Sequence, residues 1–200
     1  MRYLPILLLG LSACAPMAAE NDALLVPPSL AGKVAVLSPS DPAYGQANVA
    51  SAVKAVGLGG VSGALVVKLS QDLPVYRMWN GPAATGSDNR MGSWWAFDAP
   101  KGTREGYRRA YEICGTWNQL SWVAACTLKQ GSVVAIGPGQ SVSAQTCADA
   151  SDYETYDANR RDWQVYVNHA WNRPEALSCP PNTADYQADP ANVAQPVKTP

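Results

Sequence analysis

The chain has 200 residues, with 16 acidic and 15 basic side chains and a formal net charge of −1. That balance lacks the basic footprint that nucleic acid demands, so no nucleic-acid partner is expected. A single histidine and no C-x-x-C pair argue against a metal site, while seven Trp and nine Tyr beside one Phe read either as binding surfaces with polar handles or as the filling of a core poor in Phe.

In chain order, Arg2 comes first, then Leu4, Ile6, Leu7, Leu8, Leu9 and Leu11. This apolar stretch is shorter than the roughly 20 residues a bilayer-spanning helix needs, so it reads as the h-region of a signal peptide. Leu11-Ser12-Ala13-Cys14 resembles the lipobox of bacterial lipoproteins. The resemblance implies cleavage after residue 13, lipidation of Cys14, and a membrane partner reached through the lipid anchor. With Ala15 rather than Asp next, it further implies the outer membrane, facing the periplasm. Residues 14–40 hold Pro16, Pro27, Pro28 and Pro39 among small residues and read as a tether.

The folded domain is expected over 41–179. Asp41-Pro42 suits a helix start, followed by Val49, Val53 and Val56 at helical spacing. Ala64 to Leu69, Val75 to Trp79 and Ser93 to Phe97 read as strands. Thr103 to Cys114 is the clearest helix. Tyr107, Ala110, Tyr111 and Cys114 share one face, and Arg104, Glu105, Arg108, Arg109 and Glu112 are mostly turned away. Gly115 is the expected stop. Trp122 to Leu128, the turn Lys129-Gln130-Gly131 and Ser132 to Ile136 predict a hairpin. Trp163 to Val167 is a late strand. Beyond Cys179, residues 180–200 are polar and proline-bearing, and a disordered tail is expected. The fold class is therefore α+β: a single small domain of mostly antiparallel strands with one main helix.

After cleavage, Cys114, Cys126, Cys147 and Cys179 remain in an oxidising compartment, which predicts two disulfides. Three pairings are open, of which Cys114–Cys126 with Cys147–Cys179 is the most local. Other chemistries recede. Gly137-Pro138-Gly139 lacks the rest of a dinucleotide fingerprint, and no serine occupies a nucleophile elbow. His169 beside Trp171 reads as a packed or surface residue. Asp149, Asp152, Glu154 and Asp157 do not have the spacing of a calcium loop.

A more specific signal is an ordered set of segments. Tyr76-Arg77-Met78-Trp79 is followed by Gly92-Ser93-Trp94-Trp95 and a helix ending near Trp117-Asn118. Then come Lys129-Gln130-Gly131 and finally Trp163-Gln164-Val165-Tyr166-Val167. Over roughly Val75 to Val167 this order resembles ADP-ribosyltransferase-like domains, especially the NAD-consuming branch of bacterial polymorphic toxins. The resemblance implies an ADP-ribosyltransferase-like fold, NAD as substrate with no metal, and a catalytic triad of Arg77, Ser93 and Gln164. Trp79 and Trp95 become the ligand-binding candidates. A guanidinium offers a fixed fork of donors to a pyrophosphate or ribose. Gln164 stands where the wider class carries glutamate. It is neutral and no general base, which leaves NAD glycohydrolysis or an inactive site. The competing class is a non-enzymatic envelope lipoprotein that binds a protein partner through a Trp/Tyr-rich surface. It would serve as an accessory to secretion, conjugation or phage exclusion.

Overall fold

The computed structural model describes residues 24–82, 89–148 and 155–198. The segment 1–13 and Cys14 lie outside the described residues, as do Asp149, Asp152 and Glu154 of the acidic run. Among the described residues no helix is long and apolar enough to cross a membrane.

Among the described residues the architecture is a ten-stranded sheet. Its strands are β1 (Val34–Val36), β2 (Leu65–Leu69), β3 (Leu73–Trp79), β4 (Trp94–Ala96) and β5 (Trp122–Leu128). Next come β6 (Val133–Pro138), β7 (Trp163–Tyr166), β8 (Leu177–Ser178), β9 (Tyr186–Asp189) and β10 (Asn192–Pro196). The spatial order is β1-β2-β6-β7-β4-β3-β5-β9-β10, with β8 beside β5. Registered neighbours are antiparallel throughout. The α+β class and the antiparallel strands thus follow expectation.

The predicted β5–β6 hairpin does not form. Both strands and the turn between them are present, but β5 pairs with β3, β8 and β9, and β6 with β2 and β7. The turn carries the chain around a corner between strands that pair elsewhere in the sheet. Its backbone groups bond outward: Lys129 N–H donates to the Ala176 carbonyl, Gly131 N–H to that of Leu69, and Leu69 N–H to that of Ser132. Residues 69–73 make the matching corner between β2 and β3, and Asp72 accepts from the Gln130 N–H and the Lys129 ammonium across it.

The main core holds Val67, Leu69, Val75, Leu128, Val134, Ile136 and Val165, from β2, β3, β5, β6 and β7. β6 is buried along its whole length because its other face is covered too. Ala47, Ala52 and Val61 pack there against Val66, Val133 and Ala135. The expected helix from Asp41 is broken into a 3₁₀ turn at Tyr44–Ala47 and α1 (Val49–Ala52), because Asn48 adopts a left-handed conformation at φ 50°. In a separate cluster, Tyr107 of α2 (Arg104–Ala110) and Tyr111 just past its end pack against Met78, Ala96 and Val123. A further short helix, α3 (Ala144–Cys147), follows β6.

Two disulfides form, Cys114–Cys147 and Cys126–Cys179. The most local pairing is therefore not used. Cys126 lies on β5 and Cys179 just past β8, which pairs with it, so the sheet itself brings these sulfurs together. Both expected ends of the domain also move. Leu30 joins the core and β1 pairs with β2, so part of the expected tether is folded. The expected disordered tail instead supplies β9 and β10, with Ala188 and Val193 fully buried. Arg90 and Asp185, both buried, hold that segment through an ion pair at 2.6 Å.

Candidate functional site

Between β3 and β4 the only registered pair is Tyr76 with Ala96. Past that pair the strands part, and a cavity of about 170 Å³ opens. Arg77 and Met78 line it from β3, Trp94 and Trp95 from β4, and Gln164 from β7. The end of α2 and the following loop contribute Tyr107, Tyr111, Glu112, Trp117 and Asn118.

Arg77 is held from two sides. Its Nε donates to the Asn89 carbonyl at 2.9 Å, and its Nη1 to the Trp94 carbonyl at 2.8 Å. No carboxylate pairs with it among the described residues. Burial lowers its pKa to about 10, which leaves it a cation at neutral pH. Gly92 makes this placement feasible, because a Cβ there would run into the guanidinium.

Glu112 forms the opposite wall. Thr103 caps α2, its hydroxyl accepting from the Gly106 N–H at 3.0 Å. The helix then ends at Ala110 rather than near Gly115. Glu112 takes φ 47°, a left-handed conformation that non-glycine residues seldom adopt. Its side chain therefore leaves the expected outward face and is only 1 % exposed. The buried Arg108 clamps this turn by donating to the carbonyls of Ile113 and Asn118. The Cys114–Cys147 disulfide pins it two residues further on. Glu112 Oε1 accepts from the Asn159 N–H at 2.8 Å, and Oε2 from Gln164 Nε2 at 3.1 Å. Burial, reinforced by nearby Asp162, raises its pKa to about 8 despite those two hydrogen bonds. Gly139 is again a space-maker, since a Cβ there would collide with the Glu112 carboxyl.

Of the residues singled out from the sequence, Arg77, Gln164 and Trp95 line this cavity. Trp95 is anchored by its indole N–H to the Gly92 carbonyl at 2.7 Å. Ser93 is not among the lining residues, and its carbonyl accepts from the Val167 N–H as part of the sheet. Trp79 does not reach the cavity either. It is fully buried and packs against Trp122 with ring centroids 6.2 Å apart. Asn118 is structural, donating to the Met78 carbonyl and accepting from the Leu120 N–H.

Sequence reasoning missed Glu112, and helical periodicity pointed it the wrong way because it assumed the helix continued. Tyr107 and Tyr111 were legible as a sheet-facing stripe but not as cavity walls. Trp94 was inside the Gly-Ser-Trp-Trp run, but only its neighbour Trp95 was named as a candidate, and both line the cavity. Among the described residues no cluster of His, Cys, Asp or Glu side chains is arranged to hold a metal ion. No protein-family model, curated protein sequence or solved structure matches this chain.

Proposed function

We propose that the chain is a lipid-anchored envelope protein whose domain processes NAD as an ADP-ribosyltransferase-like glycohydrolase. One observation carries this reading. Arg77 and Gln164, distant in sequence and marked by the ordered motifs, line the same cavity, together with five aromatic side chains and Glu112. The size suits one ring, since a cavity of about 150 Å³ accommodates a benzene. On this reading the nicotinamide ring sits among Trp94, Tyr107, Tyr111 and Trp117. Arg77 meets the anionic part of the dinucleotide, and Gln164 faces the reacting ribose. The bond from the ribose anomeric carbon to the nicotinamide nitrogen breaks, with its electron pair leaving on nicotinamide. Water adds at that carbon and releases a proton, so NAD and water give nicotinamide, ADP-ribose and a proton.

The alternative of partner binding through an aromatic surface has less support. Of the seven Trp, only Trp117 and Trp171 are exposed, and Trp117 belongs to the cavity rim.

The test is nicotinamide release from NAD by the oxidised domain, with binding followed by calorimetry. Arg77→Ala is expected to weaken binding about 10- to 100-fold, the worth of a charged hydrogen bond. Arg77→Lys should recover only part of that, because an ammonium lacks the planar fork. No release and no binding by the unaltered domain would sink the enzymatic reading. The anchor is tested separately, by loss of fatty-acid labelling in Cys14→Ser.

A further inference from the structure

Gln164 is the one polar side chain projecting from the central strands into the cavity besides Arg77, and its amide has a defined set of partners. Its Nε2 donates to the Tyr111 carbonyl at 3.4 Å and to Glu112 Oε2 at 3.1 Å. A primary amide has two N–H donors and one carbonyl acceptor. Both donors are therefore spoken for, and they lie on the α2 side. The amide oxygen has no protein donor among the described residues.

We infer that Glu112 is a positioning residue that locks the Gln164 amide with its carbonyl oxygen presented to the cavity. The inference rests on the NAD-processing reading for its chemistry but not for its geometry. A carbonyl oxygen aimed at the ribose accepts from a hydroxyl and faces the positive charge that develops as the glycosidic bond breaks, and a preset dipole of that kind stabilises such a transition state. An amide turned the other way would present N–H groups and repel the same charge. Glu112 thus gives Gln164 a role without making it a base.

The way Glu112 is held supports this. A left-handed residue, a carboxyl sunk beside a glycine, and no cation paired with it among the described residues amount to an expensive arrangement. The titratable and charged groups around it are Asp162 ahead of β7, Tyr107 on α2, Tyr111 just past its end, and Arg77 across the cavity. Asp162 and burial both disfavour its ionised form, so its pKa near 8 falls within reach of ordinary conditions. When ionised, Oε2 can only accept, and the amide is locked as described. When protonated, its O–H donates to the Gln164 oxygen, and the amide turns its N–H groups to the cavity. The lock is therefore proton-linked: engaged above the Glu112 pKa and released below it.

The experiment follows the Gln164 side-chain amide by proton–nitrogen NMR from pH 6 to 9.5, in the substrate-free protein and in Glu112→Gln. Nicotinamide release from NAD is measured over the same range. The expected result is a Gln164 amide that titrates with an inflection near 8 in the unaltered protein and does not titrate in the variant. The rate should climb with the ionised fraction, about tenfold per pH unit well below the inflection, and lose that dependence in Glu112→Gln. An amide resonance unmoved across the range in the unaltered protein overturns the inference, whether or not the variant folds. So does an identical titration in both proteins. If the amide titrates as expected but no nicotinamide is released, the positioning role stands and the NAD reading fails.

Discussion

Two regions of this molecule bury arginines for different ends. Beneath the C-terminal segment, Arg90 donates to both oxygens of Asp185, at 2.6 and 2.8 Å, and to the Pro180 carbonyl at 2.8 Å. Its charge is met inside the protein by a fork-to-fork pair. At the cavity, Arg77 is held by carbonyls alone and Glu112 by an N–H and an amide, and neither has an ionic partner among the described residues. The first arrangement closes on itself and docks a strand. The second leaves the Arg77 charge facing a cavity, in keeping with the proposed ligand site rather than a brace.

Breaking the brace should produce the largest effect on stability. Arg90→Ala leaves Asp185 as a buried unpaired charge, a loss of about 3–5 kcal/mol. Chemical denaturation would measure it, and hydrogen exchange should show β9 and β10 released first. Arg77→Ala should cost less, about 1–3 kcal/mol, the penalty for stranding the carbonyls of Asn89 and Trp94. Equal losses at the two arginines would dissolve the comparison.

Glu112 sharpens it through pH. Its folded pKa of about 8 lies above the ordinary 4.5. The folded state therefore holds the proton more tightly than the unfolded chain does. Stability from this group is complete below pH 4.5 and is lost as pH rises toward 8. The melting temperature of Glu112→Gln, relative to the unaltered protein, should rise across that window and level off above it. Thermal melts at pH 5, 7 and 9 would show the trend, and a constant offset would contradict it. The smallest effect belongs to Ser93→Ala. Its backbone works in the sheet while its side chain is absent from the cavity wall, so nicotinamide release should stay within about twofold, a change below 0.5 kcal/mol.

The contrast also explains what was legible in advance. Arg77 and Gln164 were named through the ordered motifs of the resemblance and both reach the cavity, whereas Ser93 and Trp79, named on the same ground, do not line it. Glu112 lies just beyond a helix, where the reading depends on the residue at which the helix stops. The stop came earlier than Gly115 because Arg108 and the Cys114–Cys147 disulfide hold a left-handed turn that no local glycine announces.

By itself the sequence determined the α+β class, the strand segments along β2 to β7, the helix start at Thr103 and the shared face of Tyr107 and Tyr111. These depend on side-chain alternation and helical spacing, both of which act over a few residues. Only the tertiary structure decided which strands pair, that the Lys129-Gln130-Gly131 turn rounds a corner instead of closing a hairpin, and which cysteines meet. It also decided that 186–196 belongs to the sheet and that Glu112 turns inward. Each of these is a choice among distant partners. It is settled by which arrangement buries the apolar faces of β5 and β6 while satisfying their backbone groups, and no local pattern encodes that balance.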